Sequence, residues 1–191
     1  MSEPKSLMQL VGLPPAPGRF GDSALILIDC QREYTEGALV LDHIAAAVAE
    51  ALRVLERARE KGAPVFHIDH HGPAGSPIFA TEGPLVAIVP ELAPRADEAV
   101  VVKALPNAFA GTGLAEKIRA TGREEIIVVG FMTHMCVSTS VRAALEPGFR
   151  ATVVAGVSPG SRADPAPRAG ARASPPIPWR DRIQVRSGAG S

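Results

Sequence analysis

The feature that most limits what this chain can fold into is a series of short apolar runs that do not alternate with polar residues. The first is Ala24-Leu-Ile-Leu-Ile-Asp29, and two later runs span Glu125–Gly130 and Arg150–Ala155. A strand that is apolar on both faces is buried on both, which is typical of a parallel sheet covered by helices. These runs therefore predict the central strands of such a sheet.

Segments with helical periodicity separate the predicted strands. The clearest spans Asp42–Lys61, with Asp42 as the candidate N-cap and Gly62 as the residue that ends the helix. Two shorter strands and two shorter helices are predicted over Pro64–Ile68, Ala99–Lys103, Gly113–Thr121 and Cys136–Leu145. This alternation predicts an α/β protein with a three-layer, doubly wound fold around a mainly parallel sheet.

Composition limits the class of partner and the compartment. The 191 residues are 46% apolar and 21% charged with zero formal net charge, which argues against disorder and gives no general attraction to nucleic acid or anionic membrane. No apolar run approaches the roughly 18 residues of a membrane span, and the first nine residues lack the pattern of a secretory signal. Two cysteines argue against a disulfide scaffold. We expect a cytoplasmic protein with no nucleic-acid or membrane partner.

The last 36 residues differ from the rest in composition. They hold six Arg, no Lys and two Asp, a net charge of +4, together with six Pro and five Gly. No helical periodicity is present there, and Pro175, Pro176 and Pro178 interrupt what remains. We therefore predict an ordered domain over residues 1–155 and an atypical tail rich in Pro, Gly and Arg over residues 156–191. Three interpretations of the tail stay open: a divergent natural sequence, a disordered basic arm, and a change of reading frame.

Three reactive side chains fall at the carboxyl ends of predicted strands. Asp29 closes the first strand, Lys103 closes the third, and Cys136 lies just past the fourth. In doubly wound folds, ligands bind along this edge of the sheet. Backbone N–H groups at a strand-to-helix turn lower a thiol pKa, Asp29 is a candidate base, and Lys103 could stabilise a thiolate. Each residue alone is more often structural, so the prediction rests on their shared edge.

Three segments around these residues resemble the signature segments of the isochorismatase-like cysteine hydrolases. That family has a strand ending in Asp-x-Gln, a Lys before an (S/N)-A-F-x-G-T segment, and a G-x-x-T-x-x-C turn. The corresponding segments here are Ala24-Leu-Ile-Leu-Ile-Asp-Cys-Gln31, Val102-Lys-Ala-Leu-Pro-Asn-Ala-Phe-Ala-Gly-Thr112 and Val129-Gly-Phe-Met-Thr-His-Met-Cys-Val137. They occur in the family's order between about residues 24 and 155, and together they are specific.

The resemblance implies a site and a reaction. Asp29 would be the general base, Lys103 its electrostatic partner and Cys136 the nucleophile. The N–H groups of Met132 and Cys136 would form an oxyanion hole next to a cis peptide bond between Phe131 and Met132. The implied reaction is hydrolysis of a small amide or related C–N bond through a thioester. The resemblance also implies a homo-oligomer, a dimer or tetramer.

Two alternatives to this reaction stay open. True isochorismatases hydrolyse a vinyl ether and lack the nucleophilic thiol at this turn, so the presence of Cys136 favours C–N bond hydrolysis. A non-catalytic remnant that serves in binding is the alternative from another class. The two are separated by substrate assays and by the reactivity of the Cys136 thiol.

Four polar residues near the second strand raise the possibility of a metal site, although no cofactor and no metal are expected. His67, Asp69 and His71 would share one face of a strand, with His70 between them, which suits a metal only weakly. Nicotinamidases of the family bind a metal with Asp and His, but the stretch after Asp29 has no matching Asp-x-His. A polar strand end near the pocket is the simpler interpretation.

Four further residues lie close to the predicted site in sequence. Tyr34, Phe109 and His134 are candidate substrate contacts, with core packing or cover of the turn as the alternatives. His134 could also act as the base in a Cys–His dyad, although its spacing of two residues from Cys136 makes that geometry awkward. Cys30 would point to the opposite face of the strand and is expected to be inert core.

Overall fold

A computed structural model describes residue 10, residues 16–154 and residues 183–185, the last three as backbone only. Six strands form one sheet in the order β3-β2-β1-β4-β5-β6. The strands are β1 (Ser23–Ile28), β2 (Val65–His70), β3 (Ala99–Lys103), β4 (Glu125–Gly130), β5 (Arg150–Val154) and β6 (Ile183–Val185). The first five are parallel, and β6 runs antiparallel to β5. The predicted three-layer α/β fold is confirmed.

The central strand β1 explains why the first apolar run is continuous. All six of its residues are buried: β2 and β4 pair with its two edges, and apolar side chains pack on both of its faces. Leu25 and Leu27 belong to the core on one face, while Ile26 and Ile28 belong to the core on the other. Each face of the sheet is therefore covered.

Three helices lie where the periodicity predicts them, with two differences in detail, and the short helix Glu33–Glu36 was not predicted. The helices are α1 (Glu33–Glu36), α2 (Ile44–Glu60), α3 (Leu114–Ala120) and α4 (Ser138–Ala143), and a π-helical turn (Thr133–Val137) precedes α4. The α2 helix begins two residues after the predicted cap: His43, in a left-handed conformation, occupies the N-cap position without a side-chain cap bond. The segment after β4 starts as a π turn rather than as a regular helix.

The predicted tail falls mostly outside the described residues. Within it, the structure describes only β6, whose backbone pairs through Ile183 with Val154 at the end of β5. The division into a domain over residues 1–155 and a tail over 156–191 stays a prediction.

Gly130 allows β4 to end directly against β1. Its φ is +133°, a region that favours glycine, and a Cβ on this residue would overlap the Ile28 carbonyl oxygen. The next residue, Phe131, donates its N–H to that same oxygen at 2.9 Å. The close approach brings the turn after β4 next to Asp29, which follows Ile28.

Candidate active site

The three predicted catalytic side chains meet at the carboxyl edge of the sheet. Lys103 Nζ donates to Asp29 Oδ2 at 2.9 Å and lies 3.3 Å from Cys136 Sγ. Asp29 is 0% exposed, Lys103 2% and Cys136 8%. The structure thus brings together, in one buried cluster, groups that lie 74 and 33 residues apart along the chain.

Sheet order explains why the cation has to be a long side chain. Lys103 ends β3, and β2 separates this strand from β1, where Asp29 lies. Neighbouring strands are about 4.8 Å apart, so the lysine has to reach across roughly two strand spacings. Its aliphatic stem passes the end of β2, and the last residue of β2, His70, pairs in register with Lys103.

Asp29 is held in an uncommon backbone conformation. Its φ is +53°, in the left-handed region that Asp enters more readily than most residues and that recurs at functional sites. Its N–H donates to the Ile68 carbonyl of β2 at 2.8 Å. Oδ2 accepts from Lys103, whereas buried Oδ1 has no hydrogen-bond partner among the described residues. One carboxylate oxygen therefore remains open as a proton acceptor.

Burial dominates the titration of both acids in the cluster. It raises the pKa of Asp29 above its ordinary value, although Lys103 and the Cys136 thiol act in the opposite direction. It also raises the pKa of Cys136 to about 12; the Asp29 charge adds to the rise, and Lys103 offsets part of it. A lowered thiol pKa was expected from the turn. Desolvation outweighs that local effect because the sulfur is almost fully enclosed.

The turn that carries Cys136 has the expected backbone form. The peptide bond between Phe131 and Met132 is cis. The Met132 carbonyl accepts the N–H groups of Met135 at 3.1 Å and Val137 at 3.3 Å, which closes the π-helical turn around Cys136. Phe131 is buried and Met132 partly buried. The role of the Met132 and Cys136 N–H groups as an oxyanion hole stays a prediction.

No functional role was predicted from the sequence for two residues of the site, His70 and Gln31. His70 Nδ1 lies 3.2 Å from Lys103 Nζ. Gln31 holds the backbone of His70 from both sides: its Oε1 accepts the His70 N–H, and its Nε2 donates to the His70 carbonyl, each at 2.9 Å. The signal was present for both, since Gln31 completes the Asp-x-Gln pattern and period-2 alternation puts His70 on the face opposite His67 and Asp69.

The histidines on and beside β2 have separate partners rather than a shared ligand. His67 Nε2 lies 3.0 Å from Glu98 Oε2, and His71 Nδ1 lies 2.9 Å from Thr81 Oγ1. Buried His67 Nδ1 and Asp69 Oδ1 have no hydrogen-bond partner in the described part of the chain. Burial raises the pKa of Asp69 to about 7, and the Asp29 charge adds to this. Across residues 16–154, no three His, Cys, Asp or Glu side chains are grouped to hold a metal ion.

The predicted substrate contacts lie in different environments. Tyr34 is buried, with its ring edge-on to Phe79 at 5.2 Å and to Phe131 at 5.8 Å. Asp29 and Cys136 are close enough to contribute to the raised pKa of Tyr34, after the larger effect of burial. Phe109 is half-buried and stacks on a neighbouring ring in the other core. Substrate contact by Tyr34 and Phe109 stays a prediction.

The remaining two residues differ in exposure. His134 is exposed in the turn, and its carbonyl accepts a bond from Ser138 Oγ at 3.1 Å. Its role as a substrate contact stays a prediction. Cys30 is buried among apolar side chains, and burial raises its thiol pKa further than that of Cys136, which agrees with an inert core residue.

A cavity of about 250 Å³ lies elsewhere, between α2 and the end of β5. Its lining is Phe20, Glu50, Arg53, Val54, Glu56, Arg57, Glu60 and Val154. Two of the three acids already pair with arginines of the same helix, Glu50 with Arg53 and Glu60 with Arg57. None of the lining residues belongs to the cluster around Cys136, so this cavity is separate from the candidate active site.

Comparison with known proteins identifies the family. A model of the isochorismatase domain matches residues 23–163. The chain belongs to the isochorismatase family. The chain is 40% identical over 144 residues to the secreted isochorismatase effector Isc1 of Verticillium dahliae, covering 75% of this chain and 76% of that protein. It is 34% identical over 147 residues to maleamate amidohydrolase of Pseudomonas putida, covering 69% of each.

A solved structure agrees with this membership. The crystal structure of an isochorismatase from Pseudomonas putida matches with a TM-score of 0.75 and 39% identity, over 81% of this chain and 79% of that one. This chain is accordingly an isochorismatase-like hydrolase. The fold and the family expected from the three sequence segments are therefore confirmed.

The compartment is less defined than the family. No helix among the described residues is long and apolar enough to span a membrane. The Verticillium relative is named as secreted. A cytoplasmic location stays a prediction.

Proposed function

We propose that this isochorismatase-like hydrolase cleaves a small amide or related C–N bond through a thioester on Cys136. One observation carries the proposal: a buried ammonium, Lys103, lies 2.9 Å from a carboxylate and 3.3 Å from a thiol at the ligand-binding edge of the sheet. A hydrolase without a covalent step has no need of a thiol in that position. The similarity to a maleamate amidohydrolase supports the same type of bond.

The reaction runs in two halves. Asp29 takes the proton of Cys136, and the sulfur attacks the carbonyl carbon to give a tetrahedral oxyanion. The oxyanion collapses to a thioester, the C–N bond breaks, and the amine leaves with the proton that Asp29 returns. Asp29 then takes a proton from water, which attacks the thioester. The second tetrahedral intermediate releases the carboxylic acid, and Asp29 returns the proton to the departing Cys136 sulfur, which restores the free thiol. The Lys103 ammonium lies against both groups and stabilises whichever of Asp29 and Cys136 carries the negative charge.

The test uses a panel of small amides, ureides and carbamoyl amino acids with intact-mass detection. Wild-type protein mixed rapidly with a substrate is expected to gain the mass of one acyl group, which disappears on further hydrolysis. Cys136→Ala is expected to lose turnover and the adduct while it still binds substrate. Cys30→Ala is the matched control, because it removes the other thiol from a buried apolar site. Full turnover by Cys136→Ala would exclude the thioester route.

A second candidate is hydrolysis of a vinyl ether of the isochorismate type. The observation that favours it is the 40% identity to a protein named as a secreted isochorismatase. A vinyl ether is cleaved by protonation and attack of water, with no role for the sulfur. Isochorismate turnover that survives Cys136→Ala and disappears in Asp29→Asn would favour this candidate over amide hydrolysis. Membership in a family of hydrolases argues against the non-catalytic alternative.

The proposal extends to the assembly in which the site works. We expect a dimer or tetramer with a small-molecule substrate and no nucleic-acid or membrane partner. The support for assembly is β3: it ends the sheet, and Val100 and Val102 on it are 45% and 52% exposed. Light scattering on the eluted peak of a size-exclusion column measures the subunit number, and a monomer at every concentration would contradict this expectation.

A further inference from the structure

The ammonium of Lys103 has as many partners as it has hydrogens. A lysine side chain carries three N–H bonds and accepts none. Its Nζ lies 2.9 Å from Asp29 Oδ2, 3.3 Å from Cys136 Sγ and 3.2 Å from His70 Nδ1. The lysine side chain is 0% exposed, so its N–H bonds are directed at protein groups rather than at bulk solvent. The third acceptor, His70, has no part in the reaction proposed above.

His70 is held in place independently of the lysine. Its backbone N–H and carbonyl are both bonded to the buried side chain of Gln31. Gln31 also donates to the Val86 carbonyl at 2.6 Å, which anchors it to the loop beyond β2. The imidazole meets the ring of Phe79 edge-on, with centroids 5.2 Å apart. An acceptor that is fixed through its own backbone and ring can orient the flexible end of a lysine.

We propose that His70 is a positioning residue of this site: by accepting one N–H of the buried Lys103 ammonium, it directs the other two at Asp29 and Cys136. The inference rests on the proposed function and adds a residue to it. Removing the acceptor leaves a buried N–H unpaired, and the ammonium then turns toward whichever partners remain. Asp29 is the stronger attractor because it is charged, so the contact with Cys136 is the one that weakens.

The arrangement requires a defined form of the imidazole. Nδ1 can accept a hydrogen bond only when it carries no proton, so the ring is neutral and its proton is on Nε2. Burial lowers the pKa of His70 to about 4, and the charges of Lys103 and His71 act in the same direction. Asp29 and Cys136 are the other titratable groups that share Lys103 with it, and Asp69 precedes it on β2. The ring therefore stays an acceptor throughout the neutral range.

The experiment measures how fast Cys136 reacts with iodoacetamide at pH 7.5, in a Cys30→Ala background so that one thiol is counted. His70→Phe removes the acceptor and keeps an aromatic ring against Phe79. His70→Asn keeps an acceptor, because its Oδ1 occupies nearly the position of Nδ1. We expect roughly a ten- to hundredfold slower reaction in His70→Phe, the effect of one hydrogen bond to a charged group, and recovery to within a few-fold of wild type in His70→Asn. His71→Phe is the matched control and should react at the wild-type rate.

The outcomes separate this inference from the function on which it rests. If His70→Phe reacts like wild type, or if Asn fails to restore what Phe loses, His70 has no positioning role, whatever the reaction is. If Lys103→Met leaves the rate unchanged, the proposed function loses its basis and the role of His70 is excluded with it. Should His70→Phe not fold, ¹⁵N spectra of wild-type protein decide: an unprotonated Nδ1 that shifts in Lys103→Met supports the proposal, and a protonated Nδ1 overturns it.

Discussion

Replacement of Lys103 by methionine tests the buried cluster through stability rather than through activity. Methionine has nearly the length of lysine but removes the charge, so Asp29 stays buried with no cation beside it. Both side chains of the pair are 0% exposed. Breaking such a pair by removing one partner typically costs about 3–5 kcal/mol. At roughly 2–4 °C per kcal/mol for a chain of this size, we expect Tm to fall by about 6–20 °C at pH 7.5.

The sign of the pH dependence follows from the pKa of Asp29. Burial already raises this pKa, and Lys103 is the largest influence that lowers it, so the variant raises it further. A carboxyl group whose pKa is higher in the folded state destabilises the fold above its unfolded value of about 3.9, and this effect disappears as pH falls below that value. The difference in unfolding free energy between wild type and Lys103→Met should therefore be largest near pH 8 and should shrink toward pH 4.

Urea unfolding at pH 4, 6 and 8 measures these differences, with two controls. The double variant Asp29→Asn/Lys103→Met removes both charges and should recover most of the lost stability. Lys117→Met removes an exposed ammonium from α3 and should change stability by no more than about 0.5 kcal/mol. A Lys103→Met protein as stable as wild type at pH 8, or a loss that is independent of pH, would refute the view that Lys103 compensates a buried carboxylate.

Three further predictions concern residues around the site. Asp69→Asn should stabilise the protein by up to about 4 kcal/mol at pH 8 and by little at pH 4. The reason is that a carboxyl group with a folded-state pKa of about 7 destabilises the fold as pH rises from about 4 to 7. Urea unfolding curves at both pH values measure this difference. Glu98→Gln should have the opposite effect on stability and should destabilise the protein. Burial alone would raise the pKa of Glu98, but bonds from Arg59, the Arg95 backbone N–H and His67 lower it to about 2. Loss of the carboxylate should therefore cost about 2–3 kcal/mol at pH 7, with a smaller loss as pH falls from 4.5 toward 2 in the same assay. Gly130→Ala places a methyl group on the Ile28 carbonyl oxygen and should slow alkylation of Cys136 by at least about tenfold, whereas Gly122→Ala, at a position with open space but also with positive φ, should cost stability alone.

The fold, and the residues that meet at the carboxyl edge of the sheet, could be predicted from the sequence for a physical reason. Continuous apolar runs such as Ala24–Ile28 fix a strand that must be buried on both faces, and parallel strands bring their carboxyl ends to one edge. This rule predicts that Asp29 and Lys103 lie at the same edge of the sheet, even when the neighbours of their strands are unknown. The neighbours of each strand do not follow from it, since the order β3-β2-β1-β4 depends on tertiary packing.

What sequence reasoning missed depends on that strand order. His70 lies in the segment His67 to His71, where four of the five residues are polar and a metal site is the obvious functional alternative. Only the placement of β2 between β1 and β3 shows that the lysine has to pass His70 to reach Asp29. The prediction of Asp42 as the N-cap of α2 was wrong for a local reason. His43 adopts a left-handed conformation directly before the helix, so Asp42 lies one position too early to cap it.

The high thiol pKa and the role of Cys136 as a nucleophile are compatible because they describe different proton transfers. A pKa of about 12 refers to loss of the proton to solvent, which would leave a net negative charge in a buried cluster of Asp29, Lys103 and Cys136. Transfer of the same proton to Asp29 leaves the net charge of the cluster at zero, with the negative charge moved from oxygen to sulfur. Both anions lie against the same ammonium, at 2.9 and 3.3 Å, so the cation compensates the charge before and after transfer. Burial therefore suppresses loss of the Cys136 proton to solvent but still allows its transfer to Asp29. The transfer is possible because the Lys103 ammonium stabilises the thiolate as it stabilised the carboxylate.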